Sequence, residues 1–540
     1  MSDVNAIAES VLGFALRPAQ QETASAAAAG RDTLAVLPTG SGKSAIYQVA
    51  GLARGGLTVV VSPLLALQRD QLRSLTGRNV AARMVNSGLR HSERLEALNA
   101  VREGSADFVL LGPEQLGNEE TIGAISDSRR PVTLIAIDEA HLISQWGHDF
   151  RPDYLRLADI ADTLGRPPLL ALTATAAPPV QADITRRLRM TDPKVIVAGF
   201  DRPNLSLAVR LTRQDLPEAQ AIEDRTVEVM LAHETPALVY ALTHTHCEEL
   251  AERLRLDAYK TAAYHAGVPA AERARIQDAF FAGELDIVVA TSAFGMGIDK
   301  PDIRTVVHAG VPGSLDEYYQ EVGRAGRDGN AAAVVLVHDS RAVRIPRLLA
   351  ARARVPAETV TAVVHQLEAA HGQVALADVA TAAGVSHTAT QRVATELIEQ
   401  GFLTSSGRDE VTVATPVPAS ARDAVLASGD RRQTILASQI DTARHYAETT
   451  QCRRAELLAY FGEHYPAPCG NCDNDAAAPP PAAATWSPTT GDGTRVTHKY
   501  WGSGLLLSRD DHELSVLFDS VGYRHLTPAV LTNGLLTIDA

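Results

Sequence analysis

The chain has 540 residues, of which 45% are hydrophobic and 21% are charged, and its formal net charge is −14. Domains usually hold roughly 100–200 residues, so this length predicts three to five domains. The composition is that of a soluble globular protein and excludes a disordered chain or a histone-like binder driven by net positive charge. No apolar run reaches the roughly 18–20 residues of a membrane span, and the N-terminus lacks a signal-peptide pattern. We therefore expect a cytoplasmic protein, and the four cysteines suit a reducing compartment.

Two stretches of the chain alternate short β-branched runs with helical segments, which is typical of parallel α/β sheets. In the first predicted domain, 1–205, the runs are Thr33–Leu37, Leu57–Ser62, Phe108–Leu111, Thr133–Ile137 and Leu169–Thr173. In the second, 206–345, they are Ala237–Ala241, Ile287–Ala290, Thr305–Ala309 and Ala333–Val337. The sequence therefore predicts two α/β domains in tandem.

A phosphate-binding loop is predicted after the first of these strands, where a glycine-rich turn leads into a helix. The segment consists of Thr39, Gly40, Ser41, Gly42, Lys43 and Ser44. Glycines allow backbone N–H groups to surround phosphate oxygens, Lys43 can reach the β and γ phosphates, and the Ser44 hydroxyl can bind Mg²⁺. We therefore expect ATP and Mg²⁺ as ligands.

Two carboxylates follow another apolar strand, about 95 residues after Lys43. The strand Leu134–Ile137 runs directly into Asp138 and Glu139. Such a pair is often only a helix N-cap, but together with the phosphate loop it predicts a site of ATP hydrolysis. Asp138 is expected to hold Mg²⁺, and Glu139 to orient and deprotonate the attacking water.

The last third of the chain has a different pattern. Over 346–420 we predict three helices, around 357–370, 376–384 and 387–400, and a short hairpin, Thr404–Val413, with Gly407 at its turn. Three helices and a β-wing are typical of a winged helix-turn-helix. The remaining predicted parts are a helix over about 421–462 within a cysteine-containing module (421–475), an Ala/Pro-rich linker (476–490) and a small all-β barrel (491–540).

The ordered motifs of the two α/β domains resemble those of the RecQ family of superfamily-2 DNA helicases. The matching segments are Leu16–Gln20, the phosphate loop, Asp138–His141, Ala171–Thr175, Phe200–Asn204, Tyr264–Gly267, Ala290–Asp299 and Gln320–Gly329. The resemblance covers roughly residues 12–340. It implies two RecA-like motor domains and an ATP-dependent 3′→5′ helicase that acts on single-stranded and forked DNA in DNA repair or recombination.

The resemblance also assigns catalytic and nucleotide-contacting residues beyond the phosphate loop. Gln20 would recognise the edge of adenine, and Arg17 would lie against its face. In the second domain, Gln320 belongs to the family's sixth helicase motif. Arg324 and Arg327, three residues apart on one helical face, would reach across the cleft to neutralise charge on the transferring phosphoryl group.

DNA contacts follow from the same resemblance. The segment 61–67 is similar to a strand-contacting loop, and 143–152 looks like the family's aromatic-rich loop, whose side chains offer ring faces and a charge to unpaired bases. DEAD-box and DEAH-type RNA helicases lack that loop, so it favours DNA over RNA. The predicted DNA-contacting residues are Ser62, Pro63, Asn86, Trp146, Phe150 and Arg151.

The cysteine module is similar to the family's zinc-binding subdomain. Cys469 and Cys472 form a C-x2-C pair, and Cys452 precedes them at the spacing that the family uses. Structural zinc takes four ligands, and Asp475 stands where the family has its fourth cysteine. We expect Zn²⁺ bound by these three cysteines and Asp475, with His464 as an alternative fourth ligand and a degenerate, weakly metallated site as a third case.

Two features depart from the typical family member. The winged-helix-like segment precedes the cysteine module instead of following it, and its hairpin is short and polar, so both duplex docking and a scaffold role stay open. The C-terminal segment resembles the Tudor/SH3-like module that ends UvrD-type helicases, which implies docking on an RNA polymerase-like protein partner. A nucleic-acid contact and a stability cap are the alternatives for that module.

Three other functions compete with a helicase. One is a DNA-stimulated ATPase or translocase that unwinds little and acts as a recruitment factor through its C-terminal domain. The others are an RNA helicase and a non-enzymatic scaffold with an inactive motor, against which the intact Lys43, Asp138, Glu139 and Arg327 argue. We expect a monomer associated with a bacterial nucleoid and no membrane partner.

Overall fold

The computed structural model of the protein describes residues 3–63, 65–144, 151–295, 300–341, 354–405, 409–475, 494–509 and 513–539. These residues form two parallel sheets with flanking helices, a winged-helix-like unit, a helical cysteine module and a C-terminal antiparallel sheet. The predicted α/β class with two tandem RecA-like domains is therefore confirmed. The predicted linker, 476–490, lies outside the described residues.

The first sheet has seven parallel strands in the order β3-β4-β2-β5-β6-β1-β7. The strands are β1 Thr33–Val36, β2 Leu57–Val61, β3 Ala82–Val85, β4 Phe108–Leu111, β5 Val132–Ile137, β6 Leu169–Thr173 and β7 Lys194–Val197. The flanking α-helices are Val4–Ile7, Pro18–Ala28, Lys43–Arg54, Leu65–Thr76, His91–Arg102, Glu119–Ser126, Leu157–Thr163 and Pro178–Arg187, with short helical turns at Ala8–Leu12, Pro113–Gly117, Ala140–Ile143 and Pro152–Arg156. All five predicted strands of this domain are confirmed. Their side chains are buried on both faces because helices cover both sides of the sheet.

The second sheet has six strands in the order β10-β11-β9-β12-β13-β8, and its strands are paired in parallel. They are β8 Leu205–Leu211, β9 Ala237–Ala241, β10 Thr261–Tyr264, β11 Ile287–Ala290, β12 Thr305–Ala309 and β13 Ala332–His338. The helices of this domain are Glu218–Leu231, His244–Leu256, Ala270–Phe281 and Leu315–Val322. The four predicted strands are confirmed, and β8 at the sheet edge becomes the attachment point of the cysteine module.

The winged-helix-like unit has its own small core. Its helices are Ala357–Glu368, Leu376–Ala383 and His387–Glu399, and its strands β14 Gly372–Ala375, β15 Thr404–Ser405 and β16 Glu410–Val413 form an antiparallel sheet in the order β14-β16-β15. Val363, Val393 and Leu397 pack against Val411 in that core. The predicted helices and hairpin are confirmed, and Gly407 lies outside the described residues.

The single helix predicted over about 421–462 is wrong, because the structure has two helices, Ser420–Glu448 and Arg453–Tyr460. Thr449 is extended, and Cys452 is the N-cap residue of the second helix. The side-chain amide of Asn474 donates to the carbonyl groups of Thr449 (3.0 Å) and Gln451 (2.6 Å). Asn474, which follows Cys472 in the sequence, therefore satisfies two carbonyl groups that the interruption between the two helices leaves without helical partners.

The cysteine module extends the edge of the second sheet. Cys472 forms a parallel bridge with Leu207 of β8, where the Leu207 N–H donates to the Asn471 carbonyl (3.2 Å) and the Leu207 carbonyl accepts from Asp473 N–H (3.0 Å). The Asp473 carboxylate also accepts from the Val209 N–H at 2.8 Å. The module is thus fixed to the motor through backbone hydrogen bonds as well as side chains.

A buried arginine joins this module to the passage between the two motor domains. Arg454 is about 4% exposed, pairs with the carboxylate of Asp201, and donates to the carbonyl of Arg202 at 2.8 Å. Glu463 accepts from the Phe200 N–H on the same passage. The segment that connects the motor domains is therefore held by the cysteine module.

The C-terminal segment is an antiparallel sheet of five strands in the order β20-β19-β18-β17-β21. The strands are β17 Arg495–His498, β18 Gly502–Arg509, β19 Leu514–Phe518, β20 Gly522–Leu526 and β21 Leu536–Ile538, with a short helix at Ala529–Thr532. Leu506, Val516 and Phe518 form a core within this unit. Leu507 and Tyr523, on the other side, belong to the large core shared with the cysteine module and the second motor domain. The predicted all-β segment is confirmed, and it is docked on the rest of the protein.

Among the helices that the structure describes, none combines the length and the hydropathy needed to cross a bilayer.

The fold generates a prediction about Arg454. Replacing Arg454 with Met keeps an aliphatic stem but removes the ion-pair partner of the Asp201 carboxylate and one of the donors to the carbonyls of Arg202 and Leu205. Because a partly buried charge then lacks its partner, we expect the free energy of unfolding to fall by about 3 kcal/mol. Urea denaturation followed by far-UV circular dichroism measures the change. The matched control is Arg186→Met, whose side chain is 72% exposed and whose effect should stay within about 0.5 kcal/mol. Equal midpoints for the two variants would contradict the prediction.

Candidate active site and zinc site

The phosphate loop joins β1 to the helix Lys43–Arg54. Gly40 (φ 77°) and Gly42 (φ 73°) have left-handed backbone conformations that favour glycine. A Cβ at Gly42 would also lie 2.8 Å from Nε2 of Gln20. The loop therefore needs glycine at this position both for its backbone angles and for space.

The polar groups of the loop fit a bound polyphosphate. Within the described part of the chain, the hydroxyl oxygens of Thr39 and Ser41 are buried without a hydrogen-bond partner. Lys43 is half-buried beside them, and desolvation lowers the pKa of its ammonium group while Glu139 and Asp138 oppose that shift. Unpartnered donors and a half-buried cation at a helix N-terminus are suited to phosphate oxygens.

The carboxylate pair lies across from the loop, at the end of β5. Asp138 accepts from the Ser62 hydroxyl (3.3 Å) and from the Glu139 N–H (3.0 Å). Burial raises the pKa of Asp138, and the charge of Lys43 opposes that rise. A divalent cation at Asp138 and the Ser44 hydroxyl would offset the cost of burying this carboxylate, so the residues fit Mg²⁺.

Glu139 has a left-handed backbone conformation (φ 50°), which is uncommon for a residue with a side chain. Its Oε2 lies 3.3 Å from Nδ1 of His141, and that same nitrogen lies 2.9 Å from the Thr173 hydroxyl. Strained residues of this kind cluster at functional sites. The predicted base is thus positioned by the strand β6 through His141.

Thr173 connects the two halves of this site. Its carbonyl accepts from the Leu37 N–H (2.9 Å) beside the phosphate loop, and its hydroxyl accepts from the Thr175 N–H (3.2 Å). Tyr154, fully buried, donates its hydroxyl to the Asp138 carbonyl at 3.1 Å. The sequence analysis missed Tyr154, because a single tyrosine in a turn carries no local signal.

Gln20 contacts the phosphate loop directly. Its amide nitrogen donates to the carbonyls of Ser41 (2.6 Å) and Gly42 (3.1 Å), and its oxygen accepts from the Arg17 N–H (2.8 Å). Arg17 is exposed and is the N-cap residue of the helix Pro18–Ala28, which carries Gln20. The position of Gln20 is consistent with a base-recognising role, and recognition of adenine stays a prediction.

The second motor domain closes the cleft from the opposite side. Gln320 is buried near the end of the helix Leu315–Val322. A Cβ at Gly323 would lie 3.1 Å from Cβ of Thr39, and a Cβ at Gly40 would lie 3.4 Å from Cδ of Arg327. Arg327 therefore lies against the phosphate loop of the first domain.

The prediction that Arg324 and Arg327 share one helical face is wrong. The helix ends at Val322, so both arginines lie in the turns that follow it. Arg324 is 2% exposed, and its Nη2 lies 3.5 Å from the position that a Cβ at Gly295 would take. The two side chains thus have different surroundings, and Arg327 is the one at the phosphate loop.

Two residues predicted to contact DNA are buried in the first domain. The Gln68 amide donates to the Ser62 carbonyl (2.7 Å), and the Asn86 amide donates to the Gln68 carbonyl oxygen (2.7 Å). Because the Ser62 hydroxyl bonds to Asp138, these side chains form a buried chain from the hydrolytic carboxylate to the Asn86 loop. Contact of Ser62 and Asn86 with a DNA strand stays a prediction, and the sequence analysis missed Gln68.

Four further residues are predicted to contact DNA, and the structure describes two of them, Arg151 and Pro63. Trp146 and Phe150 lie outside the described residues. Arg151 is half-buried, and its N–H donates to the Leu142 carbonyl at 2.8 Å. Pro63 is half-buried at the end of β2. Their roles in DNA binding stay predictions.

The wing of the winged-helix-like unit lies across from the Asn86 loop. Asp409 and Glu410 of the wing, with Glu114 and Glu119 of the first domain, line a cleft of about 860 Å³, and these four carboxylates outnumber the lining cation Arg94, which pairs with Glu120. Carboxylates are poor partners for a phosphate backbone. The charge of this cleft therefore favours the scaffold role over duplex docking at this edge.

The predicted zinc ligands converge. One ligand atom from each of Cys452, Cys469, Cys472 and Asp475 lies within 4.8 Å of the others. Oδ1 of Asp475 is 2.7 Å from Sγ of Cys472 and 3.3 Å from Sγ of Cys469. Tetrahedral zinc with bonds of about 2.3 Å to sulfur needs donors roughly 3.5–3.8 Å apart. The two separations are shorter because they are thiol–carboxylate hydrogen bonds, so these donors would move apart to hold zinc. His464 is exposed and lies outside this group, so the geometry favours Asp475 as the fourth donor.

Comparisons with known protein families agree with this arrangement. The DEAD/DEAH box helicase model matches residues 17–184, the helicase conserved C-terminal domain model matches 221–329, and the RecQ zinc-binding model matches 419–476. Among solved structures, Mycobacterium smegmatis helicase Lhr bound to ssDNA and AMP-PNP is similar, with a TM-score of 0.52 and 22% identity, over 79% of this chain and 62% of that chain. DUF1998 helicase MrfA bound to DNA has a TM-score of 0.54 and 16% identity, over 78% and 63% of the two chains. The fold and the cleft define the class of two-domain superfamily-2 helicase cores.

The chain belongs to the RecQ family. It is 32% identical to the protein named RecS of Bacillus subtilis, over 85% of this chain and 88% of that relative. It is 33% identical to the ATP-dependent DNA helicase RecQ of Pasteurella multocida, over 86% of this chain and 61% of the relative. The chain thus spans about three fifths of the length of the RecQ proteins of Pasteurella multocida and Haemophilus influenzae.

The zinc site generates a prediction that separates its two candidate fourth ligands. In Asp475→Ala, we expect zinc affinity to fall roughly 10–100-fold or more, because the fourth donor is lost. Chelator competition measures this affinity. Asp475→Cys should restore tight binding, and His464→Ala should bind zinc like the unmodified chain. Loss of zinc from His464→Ala with retention in Asp475→Ala would reverse the assignment.

Proposed function

We propose that the protein is an ATP-dependent DNA helicase of RecQ type. The observation that carries the proposal is the shared cleft, in which Arg327 of the second domain lies against Gly40 of the first. A nucleotide in the phosphate loop would contact both domains, so its hydrolysis would change how they fit together. Such opening and closing is what allows a two-domain motor to advance along a strand.

The residues of the cleft have separate roles in ATP hydrolysis. Lys43 and the loop N–H groups bind the phosphates, and Glu139 accepts a proton from the attacking water. Arg327 lies where it can neutralise charge that develops on the transferred phosphoryl group. Ser44 and Asp138 would hold Mg²⁺, which would supply further neutralisation of the phosphate oxygens.

The buried chain of Ser62, Gln68 and Asn86 supports coupling of hydrolysis to a bound strand. It runs from the Asp138 carboxylate to a loop at the surface of the same domain. A bound DNA strand that shifts the loop carrying Asn86 would thereby alter the hydrogen bonds of the Asp138 carboxylate. DNA as the substrate is supported by the names of the relatives and by the aromatic-rich segment 143–152.

Other parts of the assignment stay predictions. They are the 3′→5′ polarity, the role in repair or recombination, the monomeric state, nucleoid association and docking of the C-terminal sheet on an RNA polymerase-like partner. Tyr500, 73% exposed in the turn between β17 and β18, is available for such a contact.

The first test of the proposal uses Glu139→Gln. Because the amide cannot accept the proton of the attacking water, we expect ATP turnover with single-stranded DNA to fall roughly 10²–10⁴-fold while nucleotide binding persists. Phosphate release and strand displacement on 3′-tailed, 5′-tailed and RNA duplexes are the measurements. The control is Glu272→Gln, an exposed carboxylate of the second domain. Turnover that ignores DNA, or that is unchanged in Glu139→Gln, would refute the proposal, and turnover without strand displacement would indicate a translocase.

A second test addresses the contribution of the second domain. In Arg327→Ala, we expect kcat for ATP to fall roughly 10³–10⁵-fold, as for loss of an arginine finger, with a much smaller change in nucleotide Kd. Steady-state turnover and fluorescent-nucleotide titration measure the two quantities. Arg275→Ala, in the same domain and 68% exposed, should match the unmodified chain. Nucleotide affinity that falls as far as kcat would show that Arg327 only binds the ground state.

A further inference from the structure

A second group of metal-ligating side chains lies where the helical module meets the C-terminal sheet. His445 comes from the helix Ser420–Glu448, Glu456 from the helix Arg453–Tyr460, Glu513 from the residue before β19, and His525 from β20. One ligand atom of each lies within 4.8 Å of the others. The four elements therefore bring their donors to one point.

His445 is spaced from two carboxylates like a ligand of the same ion. Its Nε2 lies 3.5 Å from Oε1 of Glu456 and 3.5 Å from Oε1 of Glu513. A tetrahedral ion with bonds of about 2.1 Å to nitrogen and oxygen has its donors about 3.4 Å apart. The two carboxylates lie within 4.8 Å of each other, so one ion beside His445 could contact both.

His525 is placed to hold one of these ligands. Its Nδ1 lies 2.6 Å from Oε1 of Glu513, and its ring stacks on that of His445 with centroids 4.2 Å apart and planes at 20°. Two nearly parallel stacked rings cannot both direct an in-plane lone pair at one ion. His525 is therefore a positioning residue, which orients Glu513 as outer-shell histidines and carboxylates do around metals.

A small cavity beside these residues provides room for water. Its volume is about 20 Å³, and Glu456, Tyr460, Tyr523 and His525 are among its lining residues. A cavity of roughly 10–15 Å³ already holds one water. Nε2 of His525 is buried without a hydrogen-bond partner among the described residues, and a water there would satisfy it.

The donor types of the group suit a cation. Two carboxylates and an imidazole form a donor set of the kind that Zn²⁺ and Mn²⁺ accept.

We propose that His445, Glu456 and Glu513 bind a divalent transition-metal ion, with water completing its coordination and His525 positioning Glu513. This site is separate from the cysteine site and joins the C-terminal sheet to the helical module. Beside it, the Tyr460 hydroxyl contacts Tyr523 at 3.1 Å and the carboxylate of Asp316. The ion would fasten the sheet next to the helix Leu315–Val322, which carries Gln320.

The test is a titration with Mn²⁺ of the 540-residue chain, with its cysteine site already loaded with zinc. Thiolates select zinc, whereas carboxylates accept Mn²⁺, so the cysteine site does not interfere. All variants are made in an Asp138→Asn background without nucleotide, which removes the carboxylate expected to hold a divalent ion in the cleft. Electron paramagnetic resonance of free Mn²⁺ should show one ion bound per chain. We expect the affinity to fall roughly 10–100-fold or more in His445→Gln and Glu513→Gln. His464→Gln, an exposed histidine of the same module, is the matched control.

Elemental analysis of zinc-saturated protein gives an independent count. The unmodified chain and His464→Gln should hold two zinc ions, and Glu513→Gln should hold one. Retention of the cysteine-bound zinc and the far-UV circular dichroism show that a variant is folded. If Glu513→Gln fails that check, His525→Gln decides, with weakened Mn²⁺ binding and an intact cysteine site as the expected result. No Mn²⁺ bound by the unmodified chain, or equal binding by it and a folded variant, would overturn the proposal.

Discussion

The whole arrangement depends on one constraint, which is that parallel strands present their carboxyl ends at the same edge of a sheet. In the first domain this edge places the phosphate loop, Asp138 and Thr173 within reach of one another. In the second domain, the turn after the helix Leu315–Val322 brings Arg327 to the same point. Because neither sheet alone holds a full set of groups, the chemistry of the cleft requires both domains to face each other.

The cysteine module acts as a brace for this pair of domains. It adds a backbone bridge to the edge of the second sheet and, through Arg454 and Glu463, fixes the passage that leads from the first domain to the second. A zinc ion in the cysteine site would therefore also stabilise the edge of the second sheet and the segment between the two motor domains. Zinc binding in the cysteine site would therefore be coupled to the position of the segment that connects the two motor domains, and through it to closure of the cleft.

The sequence predicted what local patterns can specify. Apolar β-branched runs located nine strands of the two parallel sheets, whereas the four edge strands β3, β7, β8 and β10 were missed. Strands β3, β7 and β8 include the charged residues Arg83, Lys194 and Arg210 and so lack a clean apolar run. Distant contacts explain the other differences. The helix break before Cys452 is satisfied by Asn474, and the inward orientation of Ser62 and Asn86 depends on Gln68 and Asp138. A motif reports which residues are present, but not which hydrogen bonds orient them.

The docked position of the C-terminal sheet has a consequence for dissecting this protein by deletion. Leu507, Leu517 and Tyr523 share the large core with the cysteine module, and Ser438 of the long helix accepts from the Tyr523 N–H at 3.1 Å. A truncation before residue 494 would uncover an apolar surface on the motor and leave Tyr460 without its neighbour. Loss of activity in such a truncated chain would then report an exposed core rather than a missing partner. Point substitutions on the outer face, around Tyr500, separate these two effects because they leave the buried face intact.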